Sequence, residues 1–249
     1  MIVAIDIGNT QVKVGIFSGA GLLEVWRVAV SDLDESLKAK LLPGQIRKVG
    51  WASVARPDFQ PANLSVWQSQ EVVPEFVPIT SNSSFPLENR YATPSTLGVD
   101  RILGVVAART QCPKQPVLVI DAGTALTYDF ATRDGAYLGG GISPGLRMRF
   151  AALHEFTARL PFVAVPEEIP ALIGDSTQNS ILSGVYNGII SEVEGIINRY
   201  RNTWGADLQV FLTGGDLYHF ENQLECFNFA DSNLILKGIC HLVSDSHTA

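Results

Sequence analysis

The sequence contains few cysteines and no long apolar run. Its three cysteines, Cys112, Cys226 and Cys240, are far apart and odd in number, so they show neither metal-ligand spacing nor a disulfide framework. This usage fits a reducing cytoplasm. No apolar stretch approaches the roughly 20 residues that a membrane span needs, and the N-terminus lacks the basic and apolar regions of a signal peptide. We therefore expect a soluble, cytoplasmic protein without a membrane partner.

Basic residues are also scarce. The 249-residue chain carries 25 acidic and 18 basic residues, for a net charge of −7, and has no dense Lys/Arg run. Broad attraction to nucleic acid requires a positive surface, so we expect no nucleic-acid partner. An acidic protein that handles phosphates must recruit them locally, through backbone N–H groups and bound cations. With 46% hydrophobic residues, the chain has material for one large domain or two of ordinary size.

Several common catalytic motifs are missing. The sequence has no G-x-x-x-x-G-K-[ST], no G-x-G-x-x-G after a strand, no H-E-x-x-H and no G-x-S-x-G, and its four histidines lack metal-site spacing. These absences argue against standard phosphate loops, zinc hydrolases and serine hydrolases.

The most informative feature present is an internal repeat. Ile2–Phe17 reads IVAIDIGNTQVKVGIF and Val117–Phe130 reads VLVIDAGTALTYDF. Asp6 aligns with Asp121, and Gly8 aligns with Gly123. Each copy is a β-branched and aliphatic run, a D-x-G turn and a second strand-like stretch. This pattern predicts two β-hairpins, each with an acidic group at its tip.

The residues after each hairpin follow a similar order. Strands are predicted over 21–30, 47–54, 135–142 and 209–215, and helices over 32–42 and 176–200, with a long helical region after 142. The fold class is therefore α/β, with two similar lobes built as duplicated β-β-β-α-β-α units. The boundary near Pro113–Pro116 divides the chain into lobes 1–114 and 115–249.

Small residues recur on the predicted helix over 176–200. Ser180, Gly184 and Gly188 lie four residues apart, although each interior glycine costs a helix about 1 kcal/mol. Such a stripe lets another helix approach closely, at a contact between lobes or between subunits. Simple tolerance of small residues explains it equally well.

The hairpin tips suggest phosphate chemistry. The segment Asp6–Thr10 combines a carboxylate suited to Mg²⁺ with a glycine turn whose N–H groups can hold phosphate oxygens. A single copy is more simply an Asx turn, but the second copy, Asp121–Ala125, favours a ligand site. Thr213–Gly215 adds a glycine turn whose backbone can approach an adenine or a ribose. The glycines of Gly139–Gly145 either approach a ligand or shape the turn into a helix.

Two phosphate hairpins and a late glycine turn form the nucleotide-site pattern of the actin, sugar kinase and heat-shock ATPase superfamily, which this chain resembles over nearly its whole length. The resemblance implies two ribonuclease H-like lobes with the nucleotide cleft between them. A narrower resemblance is to type III pantothenate kinases. The motifs that carry it are Asp6–Thr10, Leu97–Arg101, Asp121–Ala125, Gly140–Gly145, Thr157–Pro161 and Thr213–Gly215.

This resemblance implies ATP-dependent phosphorylation of pantothenate, the first step of coenzyme A biosynthesis, by a homodimer that uses Mg²⁺ with ATP and a monovalent cation, K⁺ or ammonium. Asp121 would ligate the monovalent cation, and Asp6 is a candidate Mg²⁺ ligand. Thr93-Pro94 stands where the family often has Asn-Pro, a departure that lies beside the substrate segment. The implied ATP-binding residues are Asp6, Ile7, Gly8, Asn9, Thr10, Gln11, Val12, Lys13 and Thr124. The implied pantothenate contacts are Tyr91, Gly98, Val99, Asp100, Arg101 and Thr177.

The chemistry of Asp100 and Arg101 agrees with these roles. Phosphoryl transfer to an alcohol needs a carboxylate near the hydroxyl proton, and Asp100 suits that catalytic task. Arg101 can hold a carboxylate or phosphate through its planar fork. Both precede the helical stretch Ile102–Ala108, so they are expected at a helix N-terminus, where anions are favoured. By itself, such a pair would be read as a common surface ion pair.

Two other functions remain open. The same fold could phosphorylate another small alcohol or hydrolyse a phosphate, although the L-G-x-D-R segment favours an alcohol site. A nucleotide-binding regulatory protein is the other alternative, since some relatives of this family were first described as accessory factors in gene regulation. The retention of Asp6, Asp100 and Asp121 favours catalysis.

Overall fold

The structure is a computed structural model that describes residues 1–8, 11–41, 44–56, 58–69 and 72–245. The strands are β1 (Ile2–Ile7), β2 (Val12–Ser18), β3 (Gly21–Val28), β4 (Lys48–Ser53), β5 (Glu75–Ile79), β6 (Glu88–Asn89), β7 (Val117–Ala122), β8 (Ala125–Ala131), β9 (Ala136–Pro144), β10 (Gln209–Thr213) and β11 (Phe229–Ala230). The helices are α1 (Leu33–Lys40), α2 (Val99–Gln111), α3 (Leu146–Glu155), α4 (Thr177–Trp204), α5 (Tyr218–Glu221) and α6 (Leu234–Asp245).

The chain divides into two compact units. The first unit comprises Met1–Gln111 and the C-terminal segment that begins at Asn233, and the second comprises Cys112–Ser232. The sequence analysis instead assigns the whole of 115–249 to the second lobe. The difference is α6, whose buried Leu236, Ile239 and Val243 join a core cluster with Ala4 of β1 and Leu103 of α2. A hydrophobic face is buried where a matching face exists, regardless of its position in the sequence.

The two units contain sheets of the same strand order. In the first unit the order is β3-β2-β1-β4-β5, and the five strands of the second unit follow the order β9-β8-β7-β10-β11. In each sheet the first hairpin is antiparallel, and its opening strand is parallel to the strand on its other side. The predicted mixed α/β class and the two hairpins are therefore confirmed. The helices differ, because one short helix, α1, follows β3, whereas α3 and the long α4 follow β9.

Both faces of the first sheet are covered. Val3 and Ile5 of β1 pack with Leu33 and Leu37 of α1 on one face, while Ala4 faces α2 and α6 on the other. This alternation follows from the two-residue period of a strand. Gly50 of β4 permits α6 to pack closely, since a Cβ there would lie 2.3 Å from Val243 Cγ2.

The second unit is built around α4. Its Ile181, Val185, Ile189, Val193 and Ile197 are buried against residues of β7, β8 and β10, as the apolar spacing predicts. The Ser176 side chain accepts a hydrogen bond from the Asn179 N–H at 3.2 Å and caps the N-terminus.

One predicted element is shorter than expected. The long helical region after 142 ends at Glu155, and no helix occurs between 156 and 176, where all residues are described. Pro161, Pro166 and Pro170 lie in this stretch, and each proline lacks the N–H that a helix interior needs. Among the described residues, no helix is both long enough and apolar enough to cross a lipid bilayer.

Candidate active site

The hairpin at the end of β1 carries Asp6. In the strand register, Asp6 lies opposite Lys13 of β2 and opposite Ala52 of β4. The turn closes with a hydrogen bond from the Gly8 N–H to the Gln11 carbonyl at 3.2 Å. Ile7 and Val12, both predicted to bind ATP, are fully buried with backbone and side chain alike, so neither is open to a ligand in this structure. Asn9 and Thr10, both predicted to bind ATP, lie outside the described residues.

Asp6 has an unusual electrostatic environment. Burial raises its pKa from the ordinary 3.8 to about 7, with a further contribution from the nearby Asp100 carboxylate, and Lys13 only partly opposes this rise. A buried carboxylate next to a second carboxylate ionises reluctantly. A bound cation would favour the ionised form, so the predicted role of Asp6 as a magnesium ligand fits the charges around it.

Five of the six residues predicted to bind the alcohol substrate lie in the first unit. Asp100 lies in the first turn of α2, where its Oδ1 accepts a hydrogen bond from the Arg101 N–H at 2.9 Å. A Cβ at Gly98 would lie 2.6 Å from the same Oδ1, so a glycine is needed for this position of the carboxylate. The Arg101 guanidinium lies 5.8 Å from the centroid of the Tyr91 ring. Val99 is buried in the core.

Asp121 occupies the corresponding place in the second unit. It pairs with Thr127 on β8 and Thr213 on β10, and its Oδ1 lies 3.1 Å from where a Cβ of Gly123 would be. The hairpin closes with a hydrogen bond from the Gly123 N–H to the Ala125 carbonyl at 3.1 Å. Thr124 is exposed at the tip, where its hydroxyl is accessible to a ligand.

Two glycines pack directly on this second hairpin. A Cβ at Gly145, which follows β9, would lie 2.4 Å from the Thr124 carbonyl oxygen. A Cβ at Gly214, whose φ is +105°, would lie 2.4 Å from the Ala122 carbonyl oxygen. Backbone therefore contacts backbone closely at both glycines. At Gly145 this favours the structural reading of the Gly139–Gly145 segment.

Two further residues lie in the second unit. Thr177 is the exposed first residue of α4. His154 Nδ1 lies 3.0 Å from the Leu160 carbonyl oxygen, and its ring makes an edge contact with Phe162. Both contacts are local to the turn that follows α3.

The sequence analysis missed a carboxylate at the late glycine turn. Asp216 follows Thr213–Gly215 directly and is buried, and its Oδ1 lies 3.4 Å from Arg147 Nη2 at the start of α3. Its N–H donates to the Ala122 carbonyl at 2.9 Å. Its place next to two glycines was the signal available in the sequence.

The described residues contain no group of three or more His, Cys, Asp or Glu side chains placed to hold a metal ion together. A divalent ion at Asp6 would therefore need oxygens from its ligand or from water, as Mg²⁺ bound with a nucleotide usually has.

Comparison with known proteins identifies the family. The family model for type III pantothenate kinase matches residues 2–199. A type III pantothenate kinase from Christiangramia forsetii is 42% identical over 255 residues, covering 100% of both chains. Another from Flavobacterium johnsoniae is 38% identical over 239 residues, covering 96% of each.

Solved structures share the fold at much lower identity. A protein from Campylobacter jejuni, described as a Baf family transcriptional activator, superposes with a TM-score of 0.61 at 19% identity, covering 99% of this chain and 100% of that one. A protein from Listeria monocytogenes, described as an N-acetylmannosamine kinase, gives a TM-score of 0.52 at 14% identity, covering 99% of each chain. These likenesses establish the fold of the sugar kinases, and the sequence matches are more specific. The chain belongs to the type III pantothenate kinase family.

Proposed function

We propose that this protein transfers the γ-phosphoryl group of ATP to the primary hydroxyl of pantothenate, giving 4′-phosphopantothenate in the first step of coenzyme A biosynthesis. The observation that carries the proposal is the group formed by Tyr91, Gly98, Asp100 and Arg101 beside Asp6, in a chain of this family. It combines an acceptor for a hydroxyl proton, a cation for an anionic substrate and a phosphate hairpin.

Each residue has a distinct task in this proposal. Asp100 accepts the proton of the attacking hydroxyl. Arg101, oriented by its contact with Tyr91, binds the substrate carboxylate through its planar fork. Thr177 adds a polar contact to the substrate.

The two hairpins bind the nucleotide in this proposal. Backbone N–H groups and Lys13 of the first hairpin bind phosphate oxygens, and Thr124 contributes from the second. Asp6 would hold Mg²⁺, which neutralises phosphate charge when bound, and Asp121 would hold K⁺ or ammonium. The turn at Gly214 and Gly215 approaches the adenosine.

The first test is ATP consumption by purified protein with and without pantothenate, in K⁺ and then in Na⁺ buffer. We expect ADP release to require both pantothenate and K⁺. Release without pantothenate would indicate a phosphohydrolase or another acceptor. Binding of ATP with no turnover in any mixture would overturn the kinase proposal and favour a regulatory protein.

We place the reaction in the cytoplasm, where ATP is available. The free thiols of Cys112, Cys226 and Cys240 are typical of a reducing compartment. Fractionation of the native host would test this, and recovery of the protein with secreted material would contradict it.

We also propose that the protein is a homodimer that associates through α4. Ser180, Gly184 and Gly188 are exposed, and a Cβ at either glycine would meet nothing within 4 Å among the described residues. Nearby, the side chains of Leu172 and Ile173 are 77% and 83% exposed. Light scattering should give a dimer that Gly184→Glu converts to a monomer and Asn202→Glu leaves intact. A monomeric wild-type protein would contradict the proposal.

A further inference from the structure

A pair of charged side chains connects helix α4 to the turn between β9 and α3. Arg149 of α3 donates from Nη2 to Glu192 Oε2 of α4 at 2.5 Å, and the same Nη2 lies 2.9 Å from Ser143 Oγ. Its Nε donates to the Pro144 carbonyl at 2.8 Å. One guanidinium therefore spans the last two residues of β9 and the middle of α4.

The pair is partly buried and its charges are held in place. The side chains of Arg149 and Glu192 are 21% and 27% exposed, so water screens them less than a surface pair. Glu192 Oε1 also accepts from the Tyr128 hydroxyl at 3.0 Å. Burial alone would raise the pKa of Glu192, but hydrogen bonds from Arg149 and Ser143 outweigh it and lower that pKa. The carboxylate is thus ionised and oriented at neutral pH.

The turn held by Arg149 is the one that contacts the second hairpin. Pro144 pairs with Ala125, the first residue of β8. The next residue, Gly145, packs so closely that an added Cβ would lie 2.4 Å from the Thr124 carbonyl oxygen and 2.5 Å from that of Gly123. A shift of Pro144–Gly145 would therefore move the hairpin tip at Gly123 and Thr124, because two backbone segments in van der Waals contact cannot move independently.

We propose that Arg149 and Glu192 form a positioning pair that fixes the second phosphate hairpin against α4, and thereby sets where Gly123 and Thr124 meet the nucleotide. This inference rests on the proposed function for the identity of the ligand. Neither side chain is assigned a contact with substrate. A misplacement of about 1 Å near the reacting groups can lower a rate on the order of 10²-fold, so a small movement of the turn suffices for a large effect.

The test compares five variants with the wild type by nucleotide affinity, steady-state kinetics and thermal melting. The non-hydrolysable analogue AMPPNP reports affinity without turnover. In Arg149→Met we expect AMPPNP to bind roughly 10-fold more weakly and kcat to fall 10- to 100-fold, while KM for pantothenate changes less than about 2-fold. Arg149→Lys should recover part of both losses, because an ammonium can still donate to the Pro144 carbonyl or to Glu192.

Two control variants separate positioning from stability and charge. Tyr128→Phe removes one hydrogen bond to Glu192 but leaves Arg149 in contact with Pro144, so it should lower the melting temperature and preserve the kinetics. Arg133→Met removes another arginine of the same unit, which pairs with Asp207. Arg133 follows the end of β8 that is far from the hairpin tip, so this variant should bind AMPPNP like the wild type.

The outcomes are distinct. Wild-type AMPPNP affinity and kcat in folded Arg149→Met would overturn the inference. So would a loss in Tyr128→Phe as large as that in Arg149→Met. If Arg149→Met does not fold, Arg149→Lys decides, since wild-type values there together with wild-type values in Glu192→Gln would also overturn it. If the wild type does not phosphorylate pantothenate, the proposed function fails, but the ranking of AMPPNP affinities still tests the pair.

Discussion

The two hairpins at β1–β2 and β7–β8 have the same topology but different surroundings. At the first, Asp6 is half-buried beside Asp100 and Lys13, and its pKa rises to about 7. At the second, Gly145 and Gly214 pack against the hairpin backbone. The first hairpin is distinguished by its electrostatics and the second by its close packing.

This difference shows how a duplicated unit can specialise. At the first hairpin, a bound cation would offset the repulsion between the Asp6 and Asp100 carboxylates. At the second, the closely packed turn holds its backbone groups in fixed positions. Catalysis by phosphoryl transfer needs both charge neutralisation and rigid positioning. We expect substitutions at the first hairpin and its neighbours to change chemistry and pH dependence, and substitutions at the second to change stability.

The largest effect is expected from Asp100→Asn. The asparagine keeps the oxygen that accepts the Arg101 N–H, so the fold should survive, but it cannot accept the hydroxyl proton. We expect turnover to fall on the order of 10²–10⁴-fold, measured as pantothenate-dependent ADP release. Asp58→Asn, an exposed change in the same unit, should be silent. Near-wild-type turnover in Asp100→Asn would remove Asp100 from the mechanism.

A smaller effect is expected in the pH dependence of stability. The folded-state pKa of Asp6, about 7, exceeds the ordinary 3.8, so the protonated carboxyl favours the folded state. This stabilisation is complete below about pH 4 and is lost as the pH rises to about 7. Relative to Asp6→Asn, the wild type should lose up to about 4 kcal/mol of unfolding free energy over that interval, at about 1.4 kcal/mol per pKa unit.

Urea unfolding of both proteins between pH 4 and pH 8 measures this difference. A free-energy gap that stays constant over the interval would show that Asp6 titrates normally, and the electrostatic contrast between the hairpins would disappear.

The smallest effect is expected from alanine at the two glycine turns. In Gly214→Ala, the new Cβ would combine a positive φ with a 2.4 Å approach to Ala122, which should cost about 3 kcal/mol. In Gly8→Ala the corresponding Cβ would lie 3.3 Å from the Gln11 carbonyl oxygen, and the cost should stay below about 1 kcal/mol. Equal losses in chemical denaturation would mean that the second hairpin is no more tightly packed than the first.

Local patterns predicted much of the fold. The repeat around Asp6 and Asp121 predicted both hairpins, and the apolar spacing over 176–200 predicted α4, because these patterns are contained in a few consecutive residues. Asp100 was correctly placed at a helix start. The extra carboxylate Asp216 could have been found from its position beside Gly215.

Long-range contacts could not be predicted in the same way. The hydrogen bonds from Arg149 and Tyr128 to Glu192 join residues 43 and 64 positions apart, and nothing in a single sequence pairs them. The assignment of α6 to the first unit is a similar case, since its apolar face fits either lobe in principle. Only the packing of Leu236 and Val243 with residues of β1 and α2 decides it.

The return of α6 to the first unit has a consequence for how the protein is made. Val243 packs so closely on Gly50 that an added Cβ there would collide with it. The Val243 carbonyl also accepts a hydrogen bond from the buried Lys48 ammonium at 3.0 Å. Val243 is made 195 residues after Lys48. Domains generally fold as units during synthesis, but here one face of the N-terminal sheet, partly covered by α2, is not fully covered until α6 has been made. The continuous second unit can fold on the ribosome before the first is finished.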